Sequence, residues 1–130
     1  MTTMLEISRS YWFDSAHHLP EVPDGHKCKR PHGHTWQCRI WVRGDVDRTL
    51  GWVVDYAELD AAWDKIAAQL DHRDLNELMP NPTTEHLIYW IYVKFQEALG
   101  ERVNVAEVEL CEGESGRTRL RVPMAGEPVG

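Results

Sequence analysis

Positive charge is in short supply in this 130-residue chain: 14 Lys and Arg stand against 21 Asp and Glu, a formal net charge of −7. Nucleic-acid binders usually carry the opposite balance, so no nucleic-acid partner is expected. An anionic small substrate stays open, because "KCKR" at 27–30 concentrates basic residues locally. Long apolar runs are missing as well. None approaches the ~20 residues that span a bilayer, and "MTTMLEISRS" lacks the charged start and apolar core of a secretory leader. Cysteine is scarce and odd in number, at 28, 38 and 111, which speaks against a disulfide framework. A cytoplasmic protein with no membrane partner fits, with at least one thiol left for other work. No repeat, low-complexity tract or linker interrupts the chain. With 42% hydrophobic and 27% charged residues it reads as one folded domain over 1–122. The tail "PMAGEPVG", 123–130, is expected to be disordered.

The elements follow from periodicity. Leu5, Ile7, Tyr11 and Phe13 alternate along a strand over 4–13. Prolines and glycine between Leu19 and Pro31 exclude regular structure there. "TWQCRIWVR" alternates again, Trp36, Cys38, Ile40 and Val42 on one face and Gln37, Arg39, Trp41 and Arg43 on the other. Asp55 caps a helix whose apolar stripe is Tyr56, Leu59, Trp63, Ile66 and Leu70, with Glu58 completing a capping box. An irregular connection of about a dozen residues follows. A second helix runs through Leu87, Ile91, Phe95 and Leu99 to Gly100, and strands near 103–112 and 117–122 close the domain. The order β-β-α-α-β-β predicts an α+β fold: a four-stranded antiparallel sheet with two helices on one face. Its exposed edges invite neighbouring subunits.

The stretch "HKCKRPHGH", His26 to His34, carries the densest chemistry. His32 and His34 flank a glycine at the mouth of a strand, so both rings share a side, ~6.6 Å apart at Cα, a span two imidazoles can close onto one metal ion. "FDSAHHL" ends the preceding strand, and a hairpin would bring His17 or His18 beside them. Three histidines with an open fourth position suit a catalytic rather than a structural metal site. Cys28 is open to three roles: fourth ligand, nucleophile or base. Lys27, Lys29 and Arg30 around it favour the thiolate. Cys38 falls on an apolar strand face and reads as core. Asp71 beside His72 is a carboxylate–imidazole pair able to hold and polarise a general acid or base. Glu112 ends a strand, and His26 and His86 have no partner in this reading.

Taken together, "FDSAHHLP", "GHKCKRPHGHTW", "GWVVDYAEL", "LDHRDLN", "NPTTEHL" and the strand ending in Glu112 resemble, in the same order, the 6-carboxy-5,6,7,8-tetrahydropterin synthases. These belong to the 6-pyruvoyl-tetrahydropterin synthase superfamily with its tunnelling fold. The three residues between Cys28 and His32 resemble the carboxy enzymes rather than the pyruvoyl enzymes of animals. The resemblance implies one Zn2+ per subunit on His17, His32 and His34, with Cys28 as proton acceptor. It makes His72, backed by Asp71 and contributed by a neighbouring subunit, a proton relay. Glu112 would bind the guanidine-like edge of a pterin and join the relay. Thr83 and Thr84, at a helix start, would contact pterin or phosphate, and Lys27, Lys29 and Arg30 a triphosphate. The implied reaction converts 7,8-dihydroneopterin triphosphate to 6-carboxytetrahydropterin with release of acetaldehyde and triphosphate, early in queuosine or 7-deazapurine synthesis. The implied assembly is a homohexamer of two trimers whose sheets close into a barrel, with active sites between subunits. A 6-pyruvoyl synthase or a non-catalytic pterin binder are the alternatives. The chain departs from the family pattern at "GESGRTRLRV", after Glu112.

Overall fold

The computed structural model describes residues 4–124. Two long strands, β1 (Met4–His17) and β2 (His32–Asp45), form an antiparallel hairpin joined by the proline-rich loop. Helix α1 (Tyr56–Leu70) follows, then β3 (Arg73–Asp74), α2 (Thr84–Leu99), β4 (Asn104–Glu112) and β5 (Gly116–Arg121). The strand order is β3-β1-β2-β4-β5.

This corrects the expected four-stranded antiparallel sheet. The four long strands do pair antiparallel, but β3 adds a fifth, parallel to β1 at Ser15 and Ala16. Two residues are too few to show alternation, and their partner lies far away in sequence. The irregular connection also holds a single 3-10 turn, Leu75–Glu77. A second 3-10 turn, Lys27–Lys29, sits in the loop read as wholly irregular, capped by the His26 side chain. The segment 125–130, most of the expected disordered tail, lies outside the described residues; Pro123 and Met124 belong to no helix or strand.

Alternation on β2 holds at its centre. Trp36, Cys38, Ile40 and Val42 are all fully buried under the helices, where Leu59, Ile66, Leu70, Leu87, Ile91 and Phe95 meet them. It breaks at the end. A bulge between Trp41 and Val42 shifts the pairing with β4, so Val42, Arg43 and Gly44 are buried in succession. Arg43, expected outward, lies 3.8 Å from Glu6. On β1, Phe13 and Tyr11 turn inward as expected, while Leu5 is exposed beyond the helices.

Asp55 caps α1 by accepting from the Ala57 N–H, 2.9 Å. Glu58 pairs with Arg102 rather than closing a capping box. Tyr56 also leaves the predicted stripe: it is exposed, with the Arg9 guanidinium 5.0 Å above its ring. Thr83 caps α2, and Gly100 (φ 73°) ends it in a backbone conformation that only glycine adopts readily. Gln96 then ties the helix end to β4, donating to the Gly100 and Val103 carbonyls and accepting from the Val105 N–H. No described helix is long and apolar enough to cross a membrane.

Gly44 marks the tightest packing near the bulge. A Cβ there would stand 3.0 Å from Val53 Cγ1 and 3.3 Å from Val103 Cγ1. Gly44→Val is expected to overpack this contact and cost about 1–3 kcal/mol. The measurement is urea unfolding, with a lowered midpoint and an unchanged slope.

Candidate metal centre

The hairpin register builds the site. His17, the last residue of β1, lies directly opposite His32, the first of β2, and His34 is opposite Ser15. The glycine between His32 and His34 leaves both imidazoles on the His17 side of the sheet. Ring centroids are 4.5 Å apart for His17 and His32, 5.1 Å for His17 and His34, and 4.8 Å for His32 and His34. Trp36 lies edge-on beneath His17 and His34, at 5.3 and 5.4 Å. His17 is only 2% exposed, the most enclosed of the three.

Tautomers follow from the hydrogen bonds. His17 Nδ1 is 2.8 Å from the Pro82 carbonyl, and His32 Nδ1 is 2.7 Å from the Arg30 carbonyl. A carbonyl only accepts, so each Nδ1 donates and each Nε2 keeps its lone pair. The Nε2 atoms of His17 and His34 are buried without a hydrogen-bond partner, a costly condition for polar atoms unless something binds them. Burial holds both histidines below the ordinary value of 6.5. For His17 the Pro82 carbonyl pulls the other way, and for His34 the Glu112 charge does. Neutral imidazoles with converging lone pairs are what a cation requires. The ligating atoms of His17, His32, His34 and Glu112 all lie within 4.8 Å of one another, so the residues present fit a metal ion.

Of the two histidines left open by the sequence, His17 points in. His18 is turned away and held by its backbone: Asn76 accepts from its N–H and donates to its carbonyl, both 2.9 Å. Cys28 is not among the clustered ligands. It is a half-buried free thiol on the 3-10 turn, placed by the His26 cap on its own N–H (3.0 Å) and by the Leu19 N–H donating to its carbonyl (2.8 Å). His26 therefore has a partner after all, as does His86, whose Nδ1 meets the Asn81 carbonyl at 2.7 Å. Cys38 is core as expected, its thiol pushed up by burial.

Asp71 and His72 sit where α1 ends. His72 Nδ1 is 3.1 Å from Asp71 Oδ1, and His72 holds the one positive φ outside glycine among the described residues, 58°. The backbone of Asp14 fixes both: its N–H donates to Asp71 Oδ1 (2.9 Å), and its carbonyl accepts from the His72 N–H (2.6 Å). That Asp14 N–H, more than the adjacent imidazole, keeps the Asp71 carboxyl below its usual range. His34 and His72 line one open cavity of about 600 Å³ together with Asp14, Gly33 and Thr35.

Thr84 Oγ1 donates to Glu112 Oε2, 2.8 Å, and the Thr83 hydroxyl accepts the His86 N–H as the helix cap. Lys29 is tied to Asp24 at 2.5 Å, while Lys27 and Arg30 are exposed beside Cys28. Arg119 and Arg117 pair across strands with Glu107 and Glu109. Sequence reasoning missed Glu112 as a neighbour of the imidazoles, and the Pro82, Asn76 and Asp14 contacts. Their one signal was their place within the quoted stretches, Asp14 in "FDSAHHLP", Asn76 in "LDHRDLN" and Pro82 in "NPTTEHL".

Three inward imidazoles and a carboxylate in one cluster, with an Asp–His pair held at the same end of β1, define an α+β domain with a metal-competent site and groups able to move protons. Residues 6–122 match the family described as 6-pyruvoyl tetrahydropterin synthase. The chain belongs to that family, which makes it a pterin-metabolising enzyme. It is 36% identical over 113 residues to a 6-carboxy-5,6,7,8-tetrahydropterin synthase of Synechocystis, covering 81% of this chain and 86% of that protein. It is 37% identical over 82 residues to a dihydroneopterin monophosphate aldolase of Pyrococcus furiosus, covering 63% and 70%. Its fold superposes on a 6-pyruvoyl tetrahydropterin synthase of Caenorhabditis elegans with a TM-score of 0.84 at 22% identity, covering 94% of this chain and 98% of that one.

Two outcomes test the centre. His32→Ala is expected to weaken metal binding by more than about 100-fold, since outer-shell partners alone are worth about 10–100-fold; chelator competition measures it. In the metal-free protein, the unfolded chain takes up protons at ordinary histidine values, before the buried His17 and His34 do. Stability is therefore complete above about pH 6.5 and falls as pH drops from there toward the depressed folded values. Urea midpoints across that window read the slope.

Proposed function

We propose that the protein converts 7,8-dihydroneopterin triphosphate to 6-carboxy-5,6,7,8-tetrahydropterin, releasing acetaldehyde and triphosphate, with one zinc per subunit on His17, His32 and His34. The observation that carries the reading is the set of converging imidazole lone pairs, with a free Cys28 four residues before His32 in the sequence, in a chain aligned over most of its length with a carboxy-tetrahydropterin synthase. An early place in queuosine or another 7-deazapurine synthesis, in the cytoplasm, goes with that product.

Zinc, when bound, supplies Lewis acidity toward the oxygens of the substrate side chain. The chain's own groups do the rest. Cys28, free and half-buried, accepts a proton from the side-chain carbon. His72, steadied by Asp71, gives its own proton to the substrate from another direction. Glu112 accepts from the N–H groups of the pterin's guanidine-like edge, with Thr84 fixing its second oxygen. Thr83 stands beside it at the helix start. Lys27 and Arg30 offer free charge for the triphosphate, and Lys29 joins them on leaving Asp24.

The proposed assembly is a hexamer of two trimers, each trimer a closed barrel, with His72 supplied by a neighbouring subunit. Open sheet edges support it: among the described residues, β1 has a partner on its β3 side only at Ser15 and Ala16, and β5 lacks one beyond β4.

The Pyrococcus relative favours a second reading, retro-aldol cleavage, which would release glycolaldehyde triphosphate from the side chain of the same substrate. Product analysis with zinc-loaded protein separates the readings. Acetaldehyde equal to substrate consumed is expected; glycolaldehyde triphosphate, or triphosphate loss without any aldehyde, overturns the proposal. Cys28→Ala is expected to lower turnover about 10²–10⁴-fold with zinc retained. Mixing subunits of Cys28→Ala and His72→Ala is expected to restore part of the activity if sites are shared.

A further inference from the structure

Glu112 stands closer to the imidazoles than binding pterin alone requires. Its Oε1 is 3.0 Å from His34 Nε2, yet no hydrogen bond joins them, and that Nε2 is buried without a hydrogen-bond partner. In the tautomer that ligates through Nε2, two lone-pair atoms this close repel unless a cation lies near both. Donors on one tetrahedral zinc at ~2.0–2.1 Å stand about 3.3 Å apart, close to the spacing found. The other oxygen, Oε2, is held by Thr84 Oγ1 at 2.8 Å, so the carboxylate has a fixed orientation. Glu112 also belongs to the same group of converging ligating atoms as His17, His32 and His34.

We propose that Glu112 is a displaceable fourth metal ligand, closing the three-histidine site while substrate is absent and leaving it when a pterin ring binds. The inference rests on the reading of Glu112 as the pterin anchor. Charge makes the closed state favourable: three neutral imidazoles leave a divalent ion uncompensated, and one carboxylate halves the excess. Chemistry makes it reversible. The guanidine-like edge of a pterin presents two parallel N–H donors, which pair with both oxygens of one carboxylate. Oε1 cannot satisfy that edge and the metal in one geometry. Seating the ring therefore opens the coordination position that the substrate's side-chain oxygens then fill. Thr84 is the positioning residue, because it sets which oxygen faces the imidazoles. Until substrate arrives, the position is protected from stray anions and water.

The test uses full-length protein loaded with Co2+ and reads the visible absorption of the metal, with no turnover involved. Wild type is expected to change its spectrum on adding 6-methylpterin, which has the guanidine-like edge but no side-chain oxygens to reach the metal. Glu112→Gln is expected to differ from wild type before any addition and to show no further change on adding the pterin. Its zinc affinity, by chelator competition, should fall by about 10-fold or more, and that of Thr84→Val by a smaller factor within the about 10–100-fold range of outer-shell partners. Circular dichroism confirms that each variant is folded; should Glu112→Gln not fold, the methylpterin response of wild type and the shift in Thr84→Val decide. A wild-type spectrum indifferent to 6-methylpterin, although equilibrium dialysis shows the ring bound, overturns the proposal, as does zinc affinity unchanged in both variants. Failure of the reaction reading would appear in the aldehyde product and leave these spectra as they are. Failure of the pterin reading would appear as no binding in dialysis.

Discussion

The pairing of His17 with His32 across the β1–β2 hairpin is the constraint on which the rest depends. Side chains alternate along a strand, so a one-residue slip would send every member of one strand to the other face. The same register that brings three imidazoles together also turns Phe13 and Trp36 into the core. The imidazole cluster and the core are therefore not separate achievements of the fold. The large apolar residues of the hairpin hold the register, and the histidines at its end take their positions from it.

Around that end, backbone atoms from distant segments do the orienting. The Pro82 carbonyl, just before α2, sets the tautomer of His17, and the Arg30 carbonyl sets that of His32. Asn76 grips the His18 backbone on both sides, and Thr84 reaches Glu112 from the first turn of α2. The Pro82 and Asn76 contacts join the hairpin to the 71–84 segment, and Thr84 ties the same segment to β4. The long connection between the helices, apparently structureless in sequence, is the second wall of the site.

How much of this could be read in the sequence follows from which physics was local. The alternation at the centre of β2, the helix cap at Asp55 and the shared side of the H-G-H pair are set by neighbours along the chain, and all of them appear as expected. Tyr56 left its stripe because a cation–π partner on β1 offered it a place at the surface. Arg43 is buried because a bulge, a feature of pairing rather than of composition, interrupts the alternation. The parallel bridge of β3 and the proximity of Glu112 to His34 are likewise tertiary. His26 and His86 seemed idle because their partners are backbone groups, which a sequence does not display.

Strand β1 carries two kinds of attachment within four residues. Asp14 holds Asp71 and His72 through its own N–H and carbonyl, and His17 joins the imidazole cluster three positions later. Paired along its whole length to β2, the strand behaves as a stiff beam on which both groups are mounted. Thermal motion of the helices can tilt or shift the beam, yet the spacing between the two mounts barely changes. Within one chain, then, the gap between the Asp71–His72 pair and the imidazole cluster is gauged by three residues of extended backbone.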